Sequence, residues 1–151
     1  MGITAGSIEE LEKYVGQHLG WSEWKTVTQE QVNLFADATG DHQWIHVDPE
    51  RAKAGPFGGP IAHGYLTLSL IPVLMAGMIH LDGVRMGVNY GANKVRFPSP
   101  VHVGSDIRLG ATLDEVTAFE GGGQCAVGIT IEERDAAKPS CVAQVVFRYY
   151  V

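Results

Sequence analysis

The stretch IAHGYLTLSLIPVLMAGMI, residues 61–79, is the longest apolar segment of the chain and decides how the rest can fold. It is apolar nearly all round, so a helix formed by it would be buried on most of its sides. Its length approaches that of a membrane span, but His63, Thr67, Ser69 and Pro72 interrupt it. We therefore predict one long, buried central helix over these residues, with a kink or break at Pro72.

Four β-like runs follow this helix, at residues 84–97, 106–119, 124–133 and 140–150. They are separated by segments rich in Gly, Pro and Asp, which are typical of turns. Adjacent runs joined by short turns favour an antiparallel meander. A sheet wrapped around one helix is the natural packing of these elements, so the predicted fold class is α+β. One such unit leaves sheet edges and a flank of the helix uncovered, which predicts a homodimer.

The residues before the central helix predict short helices and one strand. Ser7 and Glu10 have the spacing of a capping box that opens the first helix. Residues 23–27 predict a short strand. Thr28 is a good N-cap for a second helix, and Gly40 is a good residue to end it.

Composition and charge limit the possible functions. The 151 residues are 45% hydrophobic and 19% charged, contain no internal repeat or linker, and so predict a single domain over residues 1–151. The net charge is -6 and the basic residues are scattered, so nucleic acid is not an expected partner. Cys125 and Cys141 lack metal-ligand spacing. Residues 1–11 lack the pattern of a secretory signal. We expect reduced thiols, a cytoplasmic location and no membrane partner.

The segment GDHQWIHVD, residues 40–48, contains two carboxylates and two histidines in the least regular part of the chain. Catalytic groups concentrate on loops held by a rigid scaffold. Asp41 and His46 could both point at one water molecule, with the carboxylate or the imidazole acting as base. Asp48, which precedes a proline, is better explained as a helix N-cap. We expect His42 to be exposed to solvent rather than to bind a metal.

His63 and Gly64 open the predicted central helix. Backbone N–H groups at a helix start have no partner within the helix. Gly64 has no side chain to block a ligand, so its N–H could stabilise a carbonyl oxygen that gains negative charge. The structural alternatives remain open at this point: Asp41 as a turn residue, His46 as a packed loop histidine, and His63 as a structural residue at the helix start.

Together these segments resemble the MaoC-like family, which includes (R)-specific enoyl-CoA hydratases and 3-hydroxyacyl-thioester dehydratases. Gly40, Asp41, His46 and Asp48 match the family signature G-D-x-N-P-x-H-x-D. The matches continue in IAHG at residues 61–64 and in VRFPSPVHVG at residues 95–104. Gln43-Trp44 replaces the usual Asn-Pro, which resembles a subgroup similar to nodulation protein N.

The resemblance implies a hot dog fold, in which an antiparallel sheet wraps one long central helix. It implies a homodimer that binds a CoA or acyl-carrier-protein thioester near the dimer interface. The catalytic residues of the family map onto Asp41 and His46, and its oxyanion N–H maps onto Gly64. His63 and Arg96 are possible substrate-binding residues, although Arg96 could equally be an ordinary strand residue. No metal or other cofactor is expected.

The reaction implied by the resemblance is (R)-specific hydration of 2-enoyl thioesters, or the reverse dehydration of 3-hydroxyacyl thioesters, in fatty-acid metabolism. Two other functions compete with it. A hot dog thioesterase often uses a lone acidic residue, so His46 argues against that activity. A non-catalytic module that only binds acyl thioesters would not need the pair of Asp41 and His46.

Overall fold

The computed structural model describes residues 2–151. Its helices are α1 (Ile8–Leu11), α2 (Gln29–Thr39), α3 (Trp44–Val47), α4 (Pro49–Lys53), α5 (Gly64–Ser69) and α6 (Ile71–Leu74), and a 3-10 turn, Glu12–Tyr14, extends α1. Its strands are β1 (Ile3–Ala5), β2 (His18–Trp21), β3 (Lys25–Thr26), β4 (Ile79–Leu81), β5 (Met86–Arg96), β6 (Asp106–Phe119), β7 (Gly122–Glu133) and β8 (Cys141–Tyr150).

The helix boundaries near the N-terminal half follow the predicted capping residues. The side chains of Ser7, Thr28 and Asp48 each accept a hydrogen bond from a backbone N–H in the first turn of α1, α2 and α4, respectively. Gly40 adopts a left-handed conformation with φ of 83° and donates its N–H to the carbonyl of Ala36, which ends α2. The capping predictions are therefore confirmed, including that for Asp48.

The central helix is shorter than the sequence predicts. Instead of running over residues 61–79, it begins at Gly64 and consists of α5 and α6. Ile61 is extended and bridges His102, so the chain enters the helix from a short β-type contact. Pro72 lacks the N–H that would continue the α5 hydrogen bonds, which explains the break. At the other end Gly77 has a positive φ of 81° and Ile79 already belongs to β4.

The main sheet is antiparallel, as predicted, but it is not a simple meander. Its order is β2-β6-β7-β8-β5, with β3 also paired to β6. β6, β7 and β8 pair consecutively, whereas β5 pairs with β8 instead of with β6. The loop at residues 97–105 explains this because it is too long for a tight hairpin and contains Pro98 and Pro100. β1 and β4 form a separate parallel pair. Neither this pair nor β2 was predicted from the sequence.

The core lies between one face of the sheet and the central helix. Alternate residues of β6 and β7 are fully buried there and meet the apolar side of α5 and α6; they include Ile107, Leu109, Leu113, Val127 and Ile131. Met75 and Met78, predicted as core residues, are buried in this cluster. Cys125 and Cys141 are free, buried thiols, and burial raises the pKa of each to about 11.

β5 lies at an edge of the sheet and is exposed along almost its whole length. Its first half presents the apolar side chains of Met86, Val88 and Tyr90 to solvent. An exposed edge strand of this length with apolar side chains is unusual unless another chain covers it. Among residues 2–151, no helix is long and apolar enough to cross a membrane.

Candidate active site

Asp41 lies directly after the glycine that ends α2. The left-handed turn at Gly40 redirects the chain, and the Asp41 carboxylate accepts a hydrogen bond of 3.3 Å from the backbone N–H of Gln43. This is a local turn held by the aspartate itself. The residue is otherwise exposed, so one side of its carboxylate remains open to water.

His46 lies on α3, a single helical turn inside the segment that the sequence analysis treated as irregular. It is only 6% exposed, and its Nδ1 lies 2.6 Å from the carbonyl oxygen of Ile61. Because a carbonyl oxygen only accepts, Nδ1 must carry the proton, which leaves Nε2 with a free lone pair in the neutral ring. Burial is the main cause that lowers the pKa of His46 from its usual value, and His63 lowers it further. The hydrogen bond to the Ile61 carbonyl and the charge of Asp41 raise the pKa in part.

His63 contacts both Asp41 and His46 from the protein interior. It is buried, its Nε2 donates to the backbone carbonyl of Asp41 over 2.9 Å, and its ring stacks on that of His46 at 3.9 Å. Phe35 packs against the same ring, with the ring centres 4.8 Å apart. The His63 ring thus fixes the position of both residues that the sequence analysis paired.

Asp41, His46 and His63 together have the composition of a metal site, since one ligand atom of each lies within 4.8 Å of the others. The geometry is unfavourable for coordination. Imidazole lone pairs lie in the ring plane, and the two rings are stacked with only 25° between their planes. A single ion therefore cannot lie in both planes at bonding distance. The cluster is better suited to holding water and moving a proton.

A cavity of about 370 Å³ is lined by His46 of this cluster, whereas Asp41 and His63 lie outside its lining. Its polar lining comes from His46, Thr67, Ser99, Ser140 and the backbone of Gly64; its apolar lining comes from Phe57, Ile61, Ala62, Phe97, Pro98, Pro100 and Val101. Several of these residues belong to the loop that carries the chain from β5 to β6. The unexpected position of β5 therefore supplies one wall of the cavity.

Gly64 begins α5 and faces this cavity. Its N–H donates no hydrogen bond to any group of residues 2–151, as expected for the first residue of a helix. A Cβ at this position would lie 2.8 Å from the ring of Phe97. Only glycine therefore fits between the aromatic ring and the helix without moving one of them.

The other candidate residues lie outside this cavity lining. His63 is enclosed between His46 and Phe35. Arg96 lies at the end of β5 and donates to the carbonyl of Val95 over 2.7 Å. His42 is exposed, as expected, and its ring contacts Asp37 at 2.9 Å; this hydrogen bond raises the pKa of His42.

Three further residues, not predicted from the sequence, support the site from a distance along the chain. Gln29, at the start of α2, donates from Nε2 to the carbonyl of His46 over 2.8 Å. The Ile61 carbonyl selects the tautomer of His46. Ser140 lines the cavity although it lies far from the other candidates in sequence. Single-residue patterns carry no signal for such contacts, because each depends on the tertiary fold.

The chain belongs to the MaoC-like family: residues 10–134 match the model described as a MaoC like domain. It is 54% identical over 147 residues to 3-hydroxyacyl-thioester dehydratase Z of Mycobacterium tuberculosis, covering 97% of each chain. It is 45% identical to nodulation protein N of Rhizobium meliloti, covering 91% of this chain and 87% of that one. The predicted family and subgroup are therefore confirmed.

Solved structures show the same fold. An unliganded (R)-hydratase from Pseudomonas aeruginosa superposes with a TM-score of 0.70 at 25% identity, covering 93% of this chain and 83% of that chain. This likeness confirms the predicted α+β hot dog fold. The central helix packs on the sheet as predicted, but it consists only of α5 and α6.

Proposed function

We propose that this protein catalyses (R)-specific hydration of 2-enoyl thioesters and the reverse dehydration of 3-hydroxyacyl thioesters in fatty-acid metabolism. The observation that carries the proposal is the closeness of Asp41 to His46, together with a cavity lined by both His46 and Gly64, whose N–H has no acceptor among residues 2–151. The names of the relatives support it, since one is a 3-hydroxyacyl-thioester dehydratase and a structural neighbour is an (R)-hydratase.

In the hydration direction, Asp41 and His46 hold one water molecule. Neutral His46 accepts a hydrogen bond from the water at Nε2, because Nδ1 is committed to the Ile61 carbonyl. Asp41 accepts the second proton of the water as the base while the water oxygen bonds to Cβ of the enoyl group. A proton is then delivered to Cα from the pair, so the atoms of one water are added across the double bond. The two groups act as a coupled unit.

Gly64 stabilises the charge that this attack creates. As the water oxygen bonds to Cβ, the electrons of the double bond move toward the thioester and its oxygen becomes negative. The free Gly64 N–H donates a hydrogen bond to that oxygen inside the cavity. A single donor of this kind is worth roughly 10²–10³ in rate. Such chemistry uses no metal and no redox cofactor.

His63 acts as a positioning residue in this proposal. It holds the Asp41 backbone by a hydrogen bond and the His46 ring by stacking. A direct contact of His63 with substrate would need a different ring position, because the ring lies outside the cavity lining. Arg96, near the loop that forms one cavity wall, remains a candidate for binding a phosphate of the carrier.

The functional unit in this proposal is a homodimer of a single MaoC-like domain, residues 1–151, in the cytoplasm. The exposed apolar edge strand β5 supports the dimer, since a second copy would cover it. The substrate carrier is CoA or acyl carrier protein. The net charge of -6 gives no support for nucleic acid as a partner.

The first test is to mix the purified protein with crotonyl-CoA and follow the loss of the enoyl absorbance. We expect (R)-3-hydroxybutyryl-CoA as the product, with no release of free thiol. Release of free CoA thiol without hydration would instead support a thioesterase. Binding without turnover of crotonyl-CoA and of a longer enoyl-CoA would indicate an acyl-thioester binding module.

A further inference from the structure

Ser140 is a buried polar residue to which the reaction described above gives no role. It is 2% exposed, and its Oγ has no hydrogen-bond partner among residues 2–151. Burying a hydroxyl without a partner is unfavourable, so a native protein usually supplies one. The structure therefore leaves open a hydrogen-bonding position at Ser140 that a ligand or water must fill.

The location of Ser140 indicates which kind of partner this is. Ser140 lines the same cavity as His46 and Gly64. Its backbone is fixed immediately before β8, because its N–H donates to the carbonyl of Ile131 over 2.8 Å. Ser140 thus lines the cavity from the end of the loop between β7 and β8, at the point where that loop is hydrogen-bonded to β7.

Thr67 differs from Ser140 in having a hydrogen-bond partner for its hydroxyl. It is the other buried hydroxyl in the cavity lining, and it is 2% exposed like Ser140. Its Oγ1 donates to the carbonyl of His63 over 3.4 Å, one turn back in α5. The Thr67 hydroxyl therefore has a partner within the protein, whereas the Ser140 hydroxyl remains free to bind a ligand.

We infer that Ser140 is a substrate-binding residue whose hydroxyl donates a hydrogen bond to an oxygen of the acyl thioester. This inference rests on the proposed function, because that reaction places a thioester in this cavity. Two oxygens of the substrate have the required chemistry: the thioester carbonyl, present in both directions, and the 3-hydroxyl, present only in the hydroxyacyl substrate. The cavity wall at residues 97–101 is mainly apolar, so Ser140 would orient the polar end of the substrate within it.

The test compares Ser140→Ala with Ser22→Ala as a matched control. The Ser22 hydroxyl donates to the Glu23 carbonyl and accepts from the Leu109 N–H, both at 2.9 Å, and Ser22 lies outside the cavity lining. Ser140→Ala should lower kcat/KM roughly ten-fold, the range expected for one hydrogen bond, without lowering Tm. Ser22→Ala should lower Tm and leave kcat/KM unchanged.

Measurements in both reaction directions identify the bound oxygen. If Ser140 binds the thioester carbonyl, Ser140→Ala should slow hydration of crotonyl-CoA and dehydration of (R)-3-hydroxybutyryl-CoA through kcat. If it binds the 3-hydroxyl, the KM for the hydroxyacyl substrate should rise while that for the enoyl substrate stays unchanged.

Unchanged kinetics in Ser140→Ala would overturn the inference and show that the hydroxyl holds only a water molecule. A lower Tm in Ser140→Ala, with normal kinetics in the molecules that stay folded, would also overturn it. If the wild-type protein hydrates no enoyl thioester, the proposed function fails and this inference fails with it. Wild-type turnover together with an unaffected Ser140→Ala variant removes the inference alone.

Discussion

His46 owes its chemical state to a residue 15 positions away, since its Nδ1 is bonded to the Ile61 carbonyl. That bond leaves Nε2 as the only ring nitrogen able to accept from a water molecule. Burial and the neighbouring His63 ring both lower the pKa of His46 and so favour its neutral form, which can accept a hydrogen bond from water at Nε2. The sequence predicted a pair of Asp41 and His46, whereas the tautomer of His46 depends on a contact that only the fold creates.

The pH dependence of activity follows from this state of His46. Protonation removes the Nε2 lone pair, so activity is lost when the pH falls below the pKa of His46. Because that pKa is lowered from 6.5, the midpoint of the acid limb of kcat/KM should lie below pH 6.5. A pH profile of kcat/KM, together with an NMR titration of the ring, would measure this.

His63→Phe is the matched variant for this prediction. It keeps a flat ring against His46 but removes the second imidazole, which lowers the pKa of His46, together with its hydrogen bond to the Asp41 carbonyl. The acid limb of the profile should therefore move to higher pH. A midpoint of the acid limb at or above pH 6.5 in the wild-type protein would contradict the assigned state of His46.

At the scale of elements, the long strands were predictable and the short elements were not. β6 was predicted with its observed bounds, and β7 and β8 within a few residues, because alternating burial leaves a clear period in the sequence. The central helix was predicted too long because an apolar run does not show where a helix ends. α3, which carries His46, is only one turn long and leaves no periodic pattern.

Helix α2 positions the site at both of its ends, since Gln29 holds the His46 backbone and Gly40 leads into Asp41. Its N-cap, Thr28, accepts a hydrogen bond of 3.2 Å from the Gln31 N–H. Thr28→Ala should lower the free energy of unfolding by about 1 kcal/mol, the usual value of such a cap. Urea denaturation would measure the loss.

Thr28→Ser is the control for this prediction, because it keeps the capping oxygen and should retain most of the stability. Equal stability of the alanine variant and the wild type would show that the cap does not contribute to holding α2. A loss in the serine variant as large as that in the alanine variant would point to the methyl group instead.

At the scale of the whole molecule, the observed topology differs from the predicted meander in the position of β5. Pairing of β5 with β8 places β5 at the sheet edge and frees the loop at residues 97–105 to form a cavity wall. Sequence patterns define which residues form strands but not which strands become neighbours. The sequence predicted that sheet edges would need to be covered, but it did not predict that β5 would form one of them.

The exposed edge gives a prediction about assembly. Light scattering should give a mass near twice the 16.3 kDa of one chain. Val88→Lys, which places a charge on the apolar half of β5, should shift the protein toward the monomer. Leu34→Lys makes the same change on exposed α2 and should leave the mass unchanged. A wild-type monomer at micromolar concentration would contradict the dimer.

The central claim is that Asp41 and His46 together activate one water molecule. The most direct measurement is the rate of crotonyl-CoA hydration by wild type, Asp41→Asn and His46→Gln, with folding of each variant checked by circular dichroism. Each substitution keeps the approximate size of the side chain and removes its acid-base function. We expect each variant to lose at least ~10²-fold in kcat/KM. Full activity in both folded variants would contradict the claim.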